Sequence, residues 1–214
     1  MKRMITLGGV MAAGPALAHH PLAGAPMETF THGLLSGIGH PLLGFDHLFF
    51  VALVGVAALF TGRAVVATAA FVAAMAVGCL VAIAGLSLPI AELMIVASLL
   101  VLGTVVALGK SLSLQAAASL FAVFGLFHGI AFAGSIVGQE AAASMPVIVG
   151  YLLGLGVCQF LIAMAAGFAI QKLWDARLAG DIAPRLAGAV VAGVGLFLAL
   201  ETAEGAVFAA LGLG

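Results

Sequence analysis

AVVATAAFVAAMAVGCLVAIAGL, from Ala64 to Leu86, contains no charged side chain, and only Thr68 and Cys79 carry a polar atom. A helix rises about 1.5 Å per residue, so roughly 20 such residues cross the hydrocarbon of a bilayer. This run is long enough. Five more apolar stretches flank it, at Leu42 to Phe60, Ile90 to Leu108, Ala116 to Val137, Val147 to Ile170 and Leu186 to Leu200. They predict an all-α polytopic membrane protein with six transmembrane helices.

Composition agrees. Of 214 residues 64% are hydrophobic and only 7% charged, and the mean hydropathy is +1.33. A soluble domain carries about 25% charged residues, so this chain has too little polar surface to cover a globule in water. Lipid is its solvent, and no length remains for a large extramembrane catalytic domain. The net charge of −1 and the absence of a Lys/Arg cluster argue against nucleic acid as a partner. Cys79 and Cys158 sit inside apolar runs and read as packing residues, with no CxxC pattern.

Residues 1–18 read as a cleavable signal peptide. Lys2 and Arg3 form a positive start, Met4 to Met11 an apolar stretch too short to span, and Ala16-Leu17-Ala18 a cleavage site. Residues 19–214 would then form a six-span transmembrane domain, with its new N-terminus outside the cytoplasm. Threading six spans from there puts Arg63, Lys110, Lys172, Arg177 and Arg185 on the cytoplasmic side. The external connections Ser87 to Pro89 and Gly138 to Pro146 hold no Lys or Arg. The positive-inside rule thus supports span count and orientation together, with both mature termini periplasmic and the protein in the inner membrane. Glu201 and Glu204 fall near the outer face, as a solvated helix end. Three spans followed by three also allow a 3+3 inverted repeat, an arrangement whose sites form where the halves meet.

Ionisable groups at the bilayer centre cost roughly 2.5 to 3.5 kcal/mol each on insertion scales, so those present point to function. The densest group is His40-Pro41-Leu42-Leu43-Gly44-Phe45-Asp46-His47. On one unbroken helix His40 and His47 would lie within roughly 20° of each other but about 10.5 Å apart along the axis. Pro41 suits a first helical position, which would leave His40 near the cap and able to fold back towards Asp46 and His47. Gly44 removes bulk between them. Imidazole with carboxylate and no thiolate suits Ni²⁺, Co²⁺ or Zn²⁺, whereas Ca²⁺ would need a carboxylate cage. Glu92, at the head of the third span, and His128, in the fourth, can converge on the same level. Gln159 reads as an interhelical hydrogen-bonding group. His19 and His20 read either as a metal-collecting pair or as a disordered terminus.

The external His-rich start, His40-Pro41-x-x-Gly44-x-Asp46-His47-Leu48, Leu88-Pro89-Ile90-Ala91-Glu92 with Ser98 and Gly103, and Leu126-Phe127-His128-Gly129 resemble the HupE/UreJ nickel/cobalt permeases. The likeness covers nearly the whole mature chain. It implies a small polytopic secondary transporter that supplies metal to hydrogenase or urease, with His40, Asp46, His47, Glu92 and His128 matching the metal-handling positions. Many relatives continue the fourth-span motif as H-G-x-A-H-G-x-E. Here Phe132 and Ser135 stand where the second histidine and the acid would be, and Glu140 is out of register.

The expected function is import of a divalent transition metal, nickel first and cobalt second. The ion is the cargo, and no cofactor is expected. Rival classes are a membrane-bound metal-binding accessory or sensor protein and an intramembrane metalloenzyme. Against the enzyme, there is no HExxH pattern, and Glu28 and Glu140 lie away from the ligands. No GxxxxGKS/T stretch for nucleotide is present. The partners expected are the metal ion and the lipid bilayer, and homo-oligomerisation stays open.

Overall fold

The computed structural model describes residues 27–86, 88, 90–137 and 143–212. The leader, His19, His20, Ser87, Pro89 and Glu140 lie outside the described residues. Among those described there are helices and no strands: α1 (Phe30–Leu43), α2 (Phe45–Leu59), α3 (Ala64–Ile83), α4 (Ala91–Ala107), α5 (Leu114–Phe132), α6 (Gly134–Val137), α7 (Met145–Leu173) and α8 (Ile182–Ala210). Local chemistry sets several boundaries. Thr29 caps α1 by accepting from the His32 amide, and Ser113 caps α5 by accepting from Ala116. Pro146 occupies the first turn of α7, where its missing N–H is not needed. Gly85 and Gly109 end α3 and α4 with φ of 96° and 69°, a conformation other residues rarely adopt.

Helices α3, α5, α7 and α8 are each long and apolar enough to cross a membrane. The pair α1 and α2 qualifies together but is bent by 83°, and α4 is a shorter apolar helix. Two expectations need correcting here. The apolar stretch Leu42 to Phe60 is not one straight span, because helix begins upstream at Phe30 and breaks at Gly44. Pro41 is not at a first helical position but inside the last turn of α1. There it deprives the carbonyl of Gly37 of its usual donor, which loosens the turn that precedes the break.

The upstream helix is held by backbone-to-backbone packing. Gly33 and Gly37 of α1 lie against the carbonyls of Val147 and Tyr151, while Gly150 and Gly154 of α7 lie against those of Phe30 and Leu34. Both helices therefore carry a small-x-x-x-small face, and the two run parallel. The same device joins α3 to α5 in parallel, with Gly125 against Phe71 and Gly129 against Met75. Gly103, Gly188 and Gly195 let α4 and α8 approach. The core between them is aromatic and aliphatic, built on Phe50, Val54, Phe71, Leu99, Leu102, Phe121 and Ala163.

The α2–α3, α4–α5 and α7–α8 connections meet at one end of the bundle. Gly62, Gly109 and Arg177 line a cavity of about 480 Å³ there. Arg185 reaches across to donate to the carbonyl of Ala107 at 3.1 Å. In the α7–α8 loop the Asp181 carboxylate accepts from the Leu178 and Arg177 amides, and these bonds hold it below its ordinary value.

Candidate metal-binding site at the helix break

Gly44 closes α1, donating its amide to the carbonyl of His40, and opens α2. Asp46 and His47 thus fall in the first turn of α2, where a carboxylate is favoured by the exposed amides and the helix dipole. A Cβ at Gly44 would stand 2.9 Å from His47 Cδ2 and 3.5 Å from Asp46 Oδ1. Glycine is needed here for space, since its φ of −86° is open to any residue. The bend returns His40 to the cluster, with its ring centroid 6.2 Å from that of His47. The folding back expected from the sequence is present, made by the break and not by Pro41.

Hydrogen bonds fix the imidazole tautomers. Ser98 donates its hydroxyl to the Ile95 carbonyl at 2.6 Å, so its oxygen accepts from His128 Nε2 at 3.0 Å. His128 Nδ1 is then the acceptor in the 2.9 Å contact with His47 Nδ1. Neutral His47 therefore carries its lone pair on Nε2, which lies 4.0 Å from Asp46 Oδ2. The second chain runs likewise. Tyr151 donates to the Phe132 carbonyl at 2.7 Å, so its oxygen accepts from His40 Nδ1 at 3.1 Å. Both histidines of the first span thus donate inward through Nδ1. Histidines that bind metal are commonly oriented in this way, by a protein acceptor on the other ring nitrogen.

His47, His128, Ser98 and Tyr151 are buried, whereas the Asp46 side chain keeps 30% of its surface exposed. A cation could reach the carboxylate without unfolding the bundle. Glu92, exposed in the first turn of α4, is close enough to Asp46 for the two carboxylates to repel one another. A dication between them would remove that repulsion. His40, Asp46, His47 and His128 come together as expected, while Glu92 touches the group only through its charge. His128 spends both ring nitrogens on protein partners and stacks on Phe50 at 4.4 Å. Among the described residues no three His, Cys, Asp or Glu side chains already converge as a metal cage.

Sequence reasoning did not single out Tyr151, and it gave Ser98 no role of its own. Their signal was weak, since a hydroxyl in an apolar helix is common. Phe132 packs on both first-span histidines, 5.0 Å from the His40 ring and 4.3 Å from the His47 ring. An aromatic ring thus occupies the position where a second histidine was sought. The Gln159 expectation fails: the residue is fully buried and neither amide atom makes a hydrogen bond. Cys79 is buried as expected, donating to the Gly129 carbonyl, and both cysteines are free.

The family model described as HupE / UreJ protein matches residues 7–198. The chain belongs to the HupE/UreJ family. Protein HupE of Rhizobium leguminosarum bv. viciae is 32% identical over 186 residues, covering 86% of this chain and 93% of that protein. No solved structure matches. Within this HupE/UreJ chain the two inward-anchored histidines and Asp46 flank the helix break at Gly44.

Proposed function

We propose that this protein is a secondary transporter that imports a divalent transition metal across the bacterial inner membrane, nickel first and cobalt second, and supplies a hydrogenase or urease. One observation carries the reading: two imidazoles held by Nδ1 beside a carboxylate at a broken span. The imidazoles of His40 and His47 with the carboxylates of Asp46 and Glu92 make a nitrogen and oxygen ligand set suited to Ni²⁺ or Co²⁺. His40, Asp46 and His47 strip water from the ion, Glu92 offsets its charge, and His128 steadies His47 or takes the ion once Ser98 or His47 yields a nitrogen. No chemical conversion of a substrate is part of the scheme.

The chain crosses the membrane six times after loss of the 1–18 leader, with both mature termini periplasmic. The end at which Arg63, Lys110, Lys172, Arg177 and Arg185 cluster faces the cytoplasm. Helix pairing supports a 3+3 inverted repeat, because α1 runs parallel to α7 as α5 runs parallel to α3. Gly37 precedes His40 by the same spacing as Gly125 precedes His128. A negative-inside potential contributes about 2.3 kcal/mol per charge per 100 mV, hence roughly 4.6 for a dication, so inward flow needs no nucleotide.

Purified protein in vesicles, with a nickel-sensitive dye inside, tests the scheme. Uptake without a partner protein is expected. Asp46→Asn should remove most of it at normal membrane abundance. Metal binding without flux would make the protein an accessory or sensor, and wild-type flux in Asp46→Asn would remove the site.

A further inference from the structure

We propose that Gln159 and Thr68 form a second cation station, deeper in the membrane than the histidines, which receives the metal ion on neutral oxygen atoms. The inference rests on the transport reading above. Gln159 is fully buried on α7, and neither its Oε1 nor its Nε2 has a hydrogen-bond partner. Thr68 is fully buried on α3, and its hydroxyl is equally unpartnered. A helical threonine has an easy internal solution, a bond to the carbonyl four residues back, and Thr68 does not take it. Buried polar atoms in native proteins are nearly always paired, so unpaired ones on neighbouring helices call for a ligand.

The two residues share one depth. Met75 and Cys79 of α3 pack with Val147, Tyr151 and Leu155, whereas Ala67 and Phe71 pack with Ala163 and Ile170. Helices α3 and α7 are therefore antiparallel. Gly156 stands against Val72, its Cβ position 3.4 Å from Val72 Cγ1. One turn from that contact, towards the start of α3, brings Thr68 level with Gln159. Helix α2 supplies the distance from the first site. Gly55 lies on the Ala163 backbone, and Gly167 lies 3.9 Å from Leu59 Cβ, so α2 and α7 run parallel. Gln159 is then level with Val51, four residues and about 6 Å beyond His47. The Phe50 ring, stacked on His128, and the Phe71 ring, 6.2 Å from it, stand between the two levels.

The chemistry gives a direction. Imidazole and carboxylate bind a borderline dication more tightly than an amide or hydroxyl oxygen does. An ion that leaves His47 for Gln159 Oε1 and Thr68 Oγ1 moves to weaker ligands and keeps part of its water, to which Gln159 Nε2 and the Thr68 hydroxyl can hydrogen-bond. Throughput needs such a sequence, because each site must be strong enough to enter and weak enough to leave.

The test uses the full chain with three readouts: Ni²⁺ binding by calorimetry, Ni²⁺ flux into vesicles, and melting temperature. Gln159→Leu should cut flux about tenfold and leave the binding constant within about twofold. Its melting temperature should hold or rise, since an apolar side chain replaces an unpaired polar one. Thr68→Val, of equal shape, should do the same to a smaller degree and decides the matter if Gln159→Leu does not fold. Gln159→Glu should add a second binding equivalent and slow release. Undiminished flux in Gln159→Leu removes the station and leaves the transport reading standing. A lower melting temperature with parallel loss of binding shows a packing contact and overturns the proposal. Wild-type protein that binds but carries no metal ends the transport reading, and the station with it.

Discussion

His47 Nδ1 and His128 Nδ1 lie 2.9 Å apart, and the Ser98 oxygen on the far side of His128 decides which of them donates. Ser98→Ala leaves the buried His128 Nε2–H without its acceptor, which favours a turn of the ring or a change of tautomer. Either releases His47. Metal affinity measured by calorimetry should fall about tenfold or more, as for other groups that orient a ligand. Tyr151→Phe should weaken binding comparably through His40. Unchanged affinity in both variants would show that the tautomer chains are incidental.

Gly44→Ala tests the break itself. The new methyl would stand 2.9 Å from His47 Cδ2, closer than real contacts allow, so the His47 ring must shift from its place beside Gly44. Flux should fall severely while the protein still inserts and melts near the wild-type temperature. Gly37→Ala should behave otherwise: its Cβ would enter the backbone of Tyr151 and Leu155, pushing α1 off α7 and lowering abundance. Equal loss of abundance in the two variants would contradict this division.

Imidazole binds metal only when neutral, and an unperturbed histidine titrates at about 6.5. With His40 and His47 as ligands, protons compete with the ion, and apparent affinity should weaken as external pH falls from about 7.5 to 5.5. Nickel and cobalt should respond alike. Because Phe132 contributes a hydrocarbon face and no third nitrogen, few fixed groups impose a geometry, and cobalt should compete with radioactive nickel at comparable concentration. Strong rejection of cobalt, or affinity that ignores pH, would remove this ligand set.

Asp181 gives a pH response in the α7–α8 loop. Hydrogen bonds from the Leu178 and Arg177 amides stabilise its carboxylate and lower its pKa below the ordinary value of 3.8. A depressed carboxylate stabilises the folded loop fully above the unfolded value, and that contribution is lost as pH falls through the lower folded one. Trp174, the single tryptophan of the chain, lies in this loop and reports on it. Its emission should hold steady from neutral pH down to about 4 and change below that. Asp181→Asn should abolish the acid transition, and its persistence would remove Asp181 as the cause.

The transmembrane character, the apolar stretches, the placement of the basic residues and the grouping of His40, Asp46 and His47 were all legible in the chain. Each is a property of neighbours in sequence, where hydropathy, charge and short spacing act directly. Even the Gly33/Gly37 and Gly150/Gly154 spacings were there to be read, although a small-residue face has meaning only once its partner helix is known.

Tertiary structure decided the rest. The 83° bend at Gly44 depends on α1 finding α7, because Phe30 to Leu43 alone is short and interrupted by proline. The bonds that set the imidazoles join residues 81 and 111 positions apart. A tautomer is chosen by whichever acceptor lies across the helix interface, and no local pattern encodes that acceptor. For the same reason Gln159 looked like a hydrogen-bonding residue in sequence, and only packing revealed that nothing bonds to it.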